Sequence, residues 1–188
     1  MSAVGTNEAP HPLAVIHGRF QPLHLGHLEY LLAGVARCHT LVVGITNPDP
    51  WTTTEEATDP DRGRPESNPA TFYERYLMVE AALAEERVAG DRLRIVPFPH
   101  SFPERLAHYA PPGAVYLLTV YDAWGDAKLG RFQALGLRTE VMWRRTDKPI
   151  SGSRVRRAIA AGEQWEHLVP GAVARVIKEC GIDERIRG

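Results

Sequence analysis

The sequence predicts an α/β fold, a Rossmann-like parallel sheet flanked by helices. Two observations carry that prediction. Five short apolar runs alternate with stretches of helical period. The runs are near-continuous in apolar character, which suits strands buried on both faces of a parallel sheet. With 188 residues, 44 % of them hydrophobic, the chain has enough material for one domain with a sizeable core. A single domain over residues 1–188 is expected.

Leu13–His17 predicts the first strand and Thr40–Thr46 (TLVVGIT) the second. Leu93–Phe98, Ala114–Val120 (AVYLLTV) and Arg138–Trp143 predict the third, fourth and fifth. Helical spacing fills the gaps. His27–Ala36 carries Leu28, Leu31, Leu32 and Val35 on one face, and Thr71–Glu86 carries Phe72, Tyr76, Val79 and Leu83. Pro170–Cys180 opens with proline, groups Val173, Val176, Ile177 and Cys180, and stops at Gly181. Strand and helix in alternation imply right-handed crossovers.

One segment breaks this rhythm. Residues 47–68 (NPDPWTTTEEATDPDRGRPESN) are rich in Pro, Asp, Thr and Glu and too many for an ordinary βα loop. They follow the second strand at the sheet edge where such folds bind ligands. Two readings stand: a mobile insertion without a role, or a lid over an acceptor site. Residues 1–11 are polar and expected to be flexible, with no apolar signal segment.

Charge and composition exclude several classes. Lys and Arg total 22 against 23 Asp and Glu, so the net charge is −1. That argues against nucleic acid as the main partner and leaves room for a local basic patch holding a small anion. Cys38 and Cys180 form no CxxC pair, which argues against a disulfide scaffold or a cysteine zinc site. No apolar run approaches the ~20 residues of a membrane span. A cytoplasmic protein without membrane contact is the expectation.

The chemistry concentrates in Gly18-Arg19-Phe20-Gln21-Pro22-Leu23-His24-Leu25-Gly26-His27, directly after the first strand. This is a loop that runs into a helix N-terminus, where free N–H groups and a partial positive charge favour phosphate. Gly18 and Gly26 allow close backbone approach. His24 and His27 are three apart, so both can donate to charge developing on one phosphate. Nothing here supplies a covalent nucleophile, so in-line attack by an acceptor oxygen is the simplest chemistry. The phosphate loops GxxxxGK[ST] and GxGxxG are both absent. Farther on, Ser151 or Ser153 is a good N-cap with Arg154, Arg156 and Arg157 behind it, which makes a second anion site.

GRFQPLHLGH resembles the HxGH signature of the nucleotidyltransferase superfamily, in the form of its archaeal-type nicotinamide-mononucleotide adenylyltransferase branch. Three more segments agree in order. Asn68–Arg75 (NPATFYER) resembles NPFTxxER, Ile150–Arg157 (ISGSRVRR) resembles SGTxxRR, and Gly162–Pro170 (GEQWEHLVP) resembles GExWExLVP. The resemblance implies the HxGH nucleotidyltransferase fold. It implies that His24, His27 and Arg156 act on the phosphates, Arg156 on the β- and γ-phosphates. Gly18, Arg19, Phe20, Gln21, Gly26, Ile150, Ser151, Gly152, Ser153 and Arg157 would line the nucleotide. Mg²⁺ would accompany the NTP, with no dedicated protein metal cage. His100 and His108 read as surface or loop histidines. The related branch often assembles into oligomers, so a homo-oligomer is also implied.

The acceptor pocket departs from that branch. Where a WVxHV-like segment supplies a Trp to stack on nicotinamide, this chain has Arg105-Leu106-Ala107-His108-Tyr109. Where the branch carries an NNP-like turn, it has Thr119-Val120-Tyr121-Asp122-Ala123-Trp124. Phe102 or Trp124 could restore a ring surface. An arginine in place of a stacking ring favours a smaller, more anionic acceptor. Arg75 and Arg105 are the candidates to grip it, with Asn68, Thr71, Tyr121, Asp122 and Trp124 around them. Arg145-Thr146-Asp147 before Ile150-Ser151 is similar to the RTEGIST segment of HxGH cytidylyltransferases and brings in CTP as donor. The profile resembles phosphonate-activating cytidylyltransferases of the phosphonoformate type. The expected function is transfer of a nucleoside monophosphate from CTP or ATP to a small anionic phosphonate or phosphate. The alternative is nicotinamide-mononucleotide adenylyltransferase. A non-catalytic nucleotide-binding regulator ranks third, because His24, His27 and Arg156 are all present.

Overall fold

The computed structural model describes residues 11–53, 63–147 and 150–188. Five strands form one parallel sheet: β1 His11–Gly18, β2 Cys38–Thr46, β3 Leu93–Phe98, β4 Val115–Val120 and β5 Thr139–Arg144. Their order is β3-β2-β1-β4-β5. Ile16 lies opposite Val43 on one side of β1, and Ala14 opposite Val115 on the other. The winding reverses between β1 and β4, and a crevice opens there at the C-terminal edge. Each predicted strand lies within two residues of an observed one.

The near-continuous apolar runs have the expected cause: both faces of the sheet are covered. Ala14, Ile16, Val43 and Leu117 enter one core, and Val15, Val42, Tyr116 and Leu118 enter the other. Alternate side chains of one strand thus meet different cores.

The first core is roofed by α1 Leu25–Val35, α2 Phe72–Glu85, α4 Gly152–Ala160, α5 Gly171–Glu179 and α6 Ile182–Arg187. Tyr30 on α1 donates its hydroxyl to the Leu117 carbonyl at 2.6 Å, tying α1 to β4. Thr71 and Glu74 form a capping box on α2. At the far end of that helix, Glu85 accepts from the Ala172 N–H at 3.0 Å and so caps α5. Arg185 on α6 forks onto both oxygens of Glu74 at 3.0 Å each.

The second core lies under α3, Ala123–Ala134, and a 3-10 turn at Pro103–His108. The sequence reading has no helix at α3. Its two glycines and mixed polarity hide the period. The helix forms because Asp122 caps it, accepting from the Gly125 N–H at 2.9 Å, and because Phe132 packs into the core. A Cβ at Gly125 would meet the Val120 Cα at 3.2 Å, so α3 starts hard against the end of β4.

Two expectations meet the edges of the described chain. His11, assigned to a flexible leader, instead opens β1: its ring pairs with Glu140 at 2.8 Å. Residues 1–10, and residues 54–62 at the centre of the proposed lid, lie outside the described residues. No helix among the described residues is long and apolar enough to cross a membrane.

Candidate active site

A cleft of about 530 Å³ lies along the C-terminal edge of the sheet. Most of its wall comes from strand ends and from the loops and helix starts that follow them. β1 contributes His17 and Gly18; the loop into α1 contributes Arg19, Phe20, Gln21 and His24; α1 adds Gly26, His27 and Glu29. Thr46 and Asn47 follow β2, His100 follows β3, and Thr119, Tyr121 and Asp122 close β4. Arg145, Asp147 and Ile150–Ser153 come from the segment between β5 and α4, and Lys128 comes from α3. The N-termini of α1 and α4 both open into this cleft, which gives two sets of exposed N–H groups for anionic oxygens.

His24 and His27 are held by an unusual cap. The His27 N–H donates to His24 Nδ1 at 3.3 Å, and the His24 N–H donates to His27 Nδ1 at 3.4 Å. The two rings stack with centroids 3.7 Å apart. This is a capping box made by two histidines. It has a chemical consequence. Each Nδ1 is an acceptor, so a neutral ring carries its proton on Nε2, the atom that can donate to a ligand. Phe20 supports the pair from below. Its ring is wholly buried and meets His27 edge-on at 5.0 Å. A Cβ at Gly18 would strike the Phe20 ring at 2.7 Å. Phe20 and Gly18 therefore shape the loop into α1 by packing.

Gln21 and Arg156 lock that loop to its neighbours. The buried Gln21 side chain donates to the Ala70 carbonyl at 2.8 Å and accepts from the Ala70 N–H at 3.0 Å. Its amide is thus committed inside the protein, although Gln21 itself lines the cleft. Arg156 is half-buried outside the cleft wall. It donates to the Gln21 carbonyl at 2.7 Å and to Ser67 Oγ at 3.4 Å. In this geometry Arg156 positions the loop. Arg157 is exposed and also stands outside the cleft.

Ser151 is the N-cap of α4, accepting from the Arg154 N–H at 3.2 Å, and Ser153 lies 3.0 Å from it. Gly152 is where the start of α4 touches the loop before α1. A Cβ there would meet the Gln21 carbonyl oxygen at 2.7 Å. Gly152→Ala should push α4 away from the first loop, cost about 1–3 kcal/mol of stability, and raise the KM for the nucleotide. Thermal melts and initial-rate kinetics check this; a variant with unchanged KM and Tm would contradict the close contact.

The acceptor candidates scatter. Arg75 is 2 % exposed and faces inward. Its guanidinium donates to the carbonyls of Thr71, Arg19, Thr46 and Asn47 at 2.7–3.1 Å. Burial, reinforced by the nearby Arg19, lowers its pKa to about 10. It holds the chain after β1 to the end of β2 and does not line the cleft. Arg105 is exposed on the Pro103–His108 turn, over the Phe102 ring at 5.1 Å, outside the cleft. Thr71 and Asn68 also lie outside it: Thr71 caps α2, and Asn68 donates to the Arg64 carbonyl at 2.9 Å. Asp122 lines the cleft, but one of its carboxylate oxygens is engaged as the α3 cap. Tyr121 lines the cleft and accepts from Trp143 Nε1 at 3.0 Å. Trp124 stands in the first turn of α3; its side chain lies outside the described residues.

The structure adds cleft residues that were not among the candidate site residues. Arg145 enters the wall above the Trp143 ring at 4.7 Å and pairs with Glu29 at 2.8 Å. His100, read as a loop histidine, lines the cleft, as do His17 and Lys128. His17 is 7 % exposed and stacks on Phe98 at 4.8 Å. Burial, helped by Lys128 and then His100, pushes its pKa well below the usual histidine value, so the ring is neutral near pH 7. In sequence it is merely the last residue of an apolar run.

Comparison with known proteins agrees with this fold. The family model described as cytidylyltransferase-like matches residues 15–158. A phosphonoformate cytidylyltransferase from Streptomyces viridochromogenes is 83 % identical over 173 residues, covering 92 % of this chain and 94 % of that protein. A nicotinamide-nucleotide adenylyltransferase from Pyrobaculum neutrophilum is 32 % identical, covering 93 % of this chain and 92 % of its own. Among solved structures, a bifunctional NMN adenylyltransferase/ADP ribose pyrophosphatase from Francisella tularensis superposes with a TM-score of 0.67 at 15 % identity. This chain is covered to 94 % and spans 52 % of that longer protein, so the likeness is one of fold. From its first strand to its fourth helix, the chain belongs to the cytidylyltransferase-like family of nucleotidyltransferases.

Proposed function

We propose that this chain is a CTP:phosphonoformate-type cytidylyltransferase, which transfers CMP from CTP to a small phosphonate and releases pyrophosphate. The observation that carries this reading is the 83 % identity to a phosphonoformate cytidylyltransferase over 92 % of the chain, against 32 % for an adenylyltransferase relative. The cleft supports it. Two helix N-termini, the His24–His27 pair and Arg19 face one space, which suits a triphosphate.

The phosphonate oxygen is ionised near pH 7 and needs no strong base. It attacks the α-phosphorus of CTP in line. The bond from that phosphorus to the bridging oxygen breaks, and its electron pair leaves on pyrophosphate. His24 and His27 donate from Nε2 to the charge that develops, and the rigid cap holds both rings in place beforehand. Mg²⁺ enters as part of the nucleotide substrate and neutralises the triphosphate. Among the described residues no cluster of three metal-ligating side chains exists to hold a resident ion.

The product identifies the reaction. Incubation with Mg·CTP and phosphonoformate should yield a phosphonate–phosphate anhydride to CMP, seen as a pair of coupled ³¹P resonances, together with one pyrophosphate. Pyrophosphate release without that coupled pair would contradict the assignment.

A further inference from the structure

The far flank of the cleft has chemistry that phosphate transfer does not use. His17 follows Val15 on the α3 face of the sheet, opposite the side roofed by α1 and α4. Its ring is 7 % exposed, and neither nitrogen has a hydrogen-bond partner among the described residues. A buried polar group left in that state costs free energy, so an unpartnered ring lining a cleft points to a ligand. The ring is also fixed. It lies nearly parallel to Phe98, 16° between planes, with Phe132 tilted against it at 5.3 Å. Phe98 has its place because residue 44 is glycine: a Cβ there would strike the Phe98 ring at 2.5 Å. Lys128 and His100 line the same cleft and are close enough to His17 to bear on its charge.

We propose that His17, supported by Phe98 and flanked by Lys128 and His100, seats the second anionic group of the acceptor, its carboxylate, and so selects a carboxyphosphonate over a plain phosphonate. The proposal rests on the cytidylyltransferase reading. His17, Lys128, His24 and His27 line one cleft, so an acceptor can set its phosphonate beside the histidine pair and turn its carboxylate toward the α3 flank. A neutral imidazole offers one N–H to a carboxylate oxygen, and the Lys128 ammonium supplies the countercharge. His17 is then a specificity-determining residue, while Gly44 and Phe98 position it.

The test compares phosphonoformate with methylphosphonate, which lacks the carboxylate. The KM for phosphonoformate and the inhibition constant of methylphosphonate against it are measured with CTP saturating. The wild-type chain should bind phosphonoformate more tightly. In His17→Phe, which keeps a ring on Phe98 but offers no N–H, that preference should fall about tenfold or more. Lys128→Met, on the partly exposed face of α3, should give a fall of the same order and keeps the test decisive if His17→Phe does not fold. A purely structural role would weaken both ligands together and leave the ratio unmoved, which would overturn the proposal. Absence of wild-type turnover with CTP and phosphonoformate would instead strike the functional reading, and this inference with it.

Discussion

Replacing His27 with alanine is expected to lower kcat by about 10²–10³-fold, the scale of one lost transition-state donor. His27 sits in the first turn of α1, its Nδ1 engaged by the His24 N–H and its ring stacked on His24 at 3.7 Å. Nε2 is then the ring nitrogen left to donate to a phosphate in the proposed reaction. The substitution also removes half of the capping box, which costs about 1 kcal/mol of stability. His27→Asn separates the two effects. Its carbonyl oxygen can still accept from the His24 N–H, but no donor reaches the position of Nε2. Both variants should therefore lose turnover, while the asparagine form keeps more of the Tm. Turnover within about threefold of wild type in His27→Ala would remove His27 from the chemistry.

Arg75→Met should destabilise the fold by about 3–5 kcal/mol, as expected when one side of a buried polar network is removed, which lowers Tm by about 6–20 °C. Two effects oppose each other. Burying the guanidinium is unfavourable, as its lowered pKa of about 10 indicates. Removing it relieves that cost, on the order of 3 kcal/mol. Against this, the carbonyls of Arg19, Thr46, Asn47 and Thr71 lose charge-assisted bonds of about 1.5–3 kcal/mol each. The loss is larger. Asn47 adds to the dependence, because its φ of 48° is held in the left-handed region. Arg75→Lys should recover only part of the stability, since an ammonium cannot span four carbonyls from one point. Thermal denaturation measures both variants; a Tm within 2 °C of wild type for Arg75→Met would contradict the strut role.

Arg75 also shows where sequence reading stops. The NPATFYER segment marks it as a cation near the site, and it is near the site. Which way its guanidinium points depends on Thr46 and Asn47 arriving at the end of β2, a fact of topology. Gln21 behaves the same way: the motif names it, and only the packing of Ala70 against it fixes its amide. The strands were legible because burial on both faces leaves a continuous apolar run, and α1, α2 and α5 because their apolar period is regular. Helix α3 was not, because Gly125 and Gly130 interrupt it and Asp122, its cap, reads equally well as a turn. His24 and His27 were legible because residues three apart at a helix start share a face. His17, His100 and Lys128 were not, since they come from β1, the loop after β3, and α3. They meet only because β4 pairs with β1 and α3 packs over the same edge.

The central claim concerns which nucleotide and which acceptor the cleft takes. The most direct measurement is pyrophosphate release in a two-by-two grid, CTP or ATP against phosphonoformate or nicotinamide mononucleotide. Release with CTP and phosphonoformate, at least about a hundredfold above the ATP and mononucleotide pair in kcat/KM, is the predicted result, the discrimination a site built around specific polar contacts can reach. Release confined to ATP and nicotinamide mononucleotide would contradict the account and make the chain an adenylyltransferase.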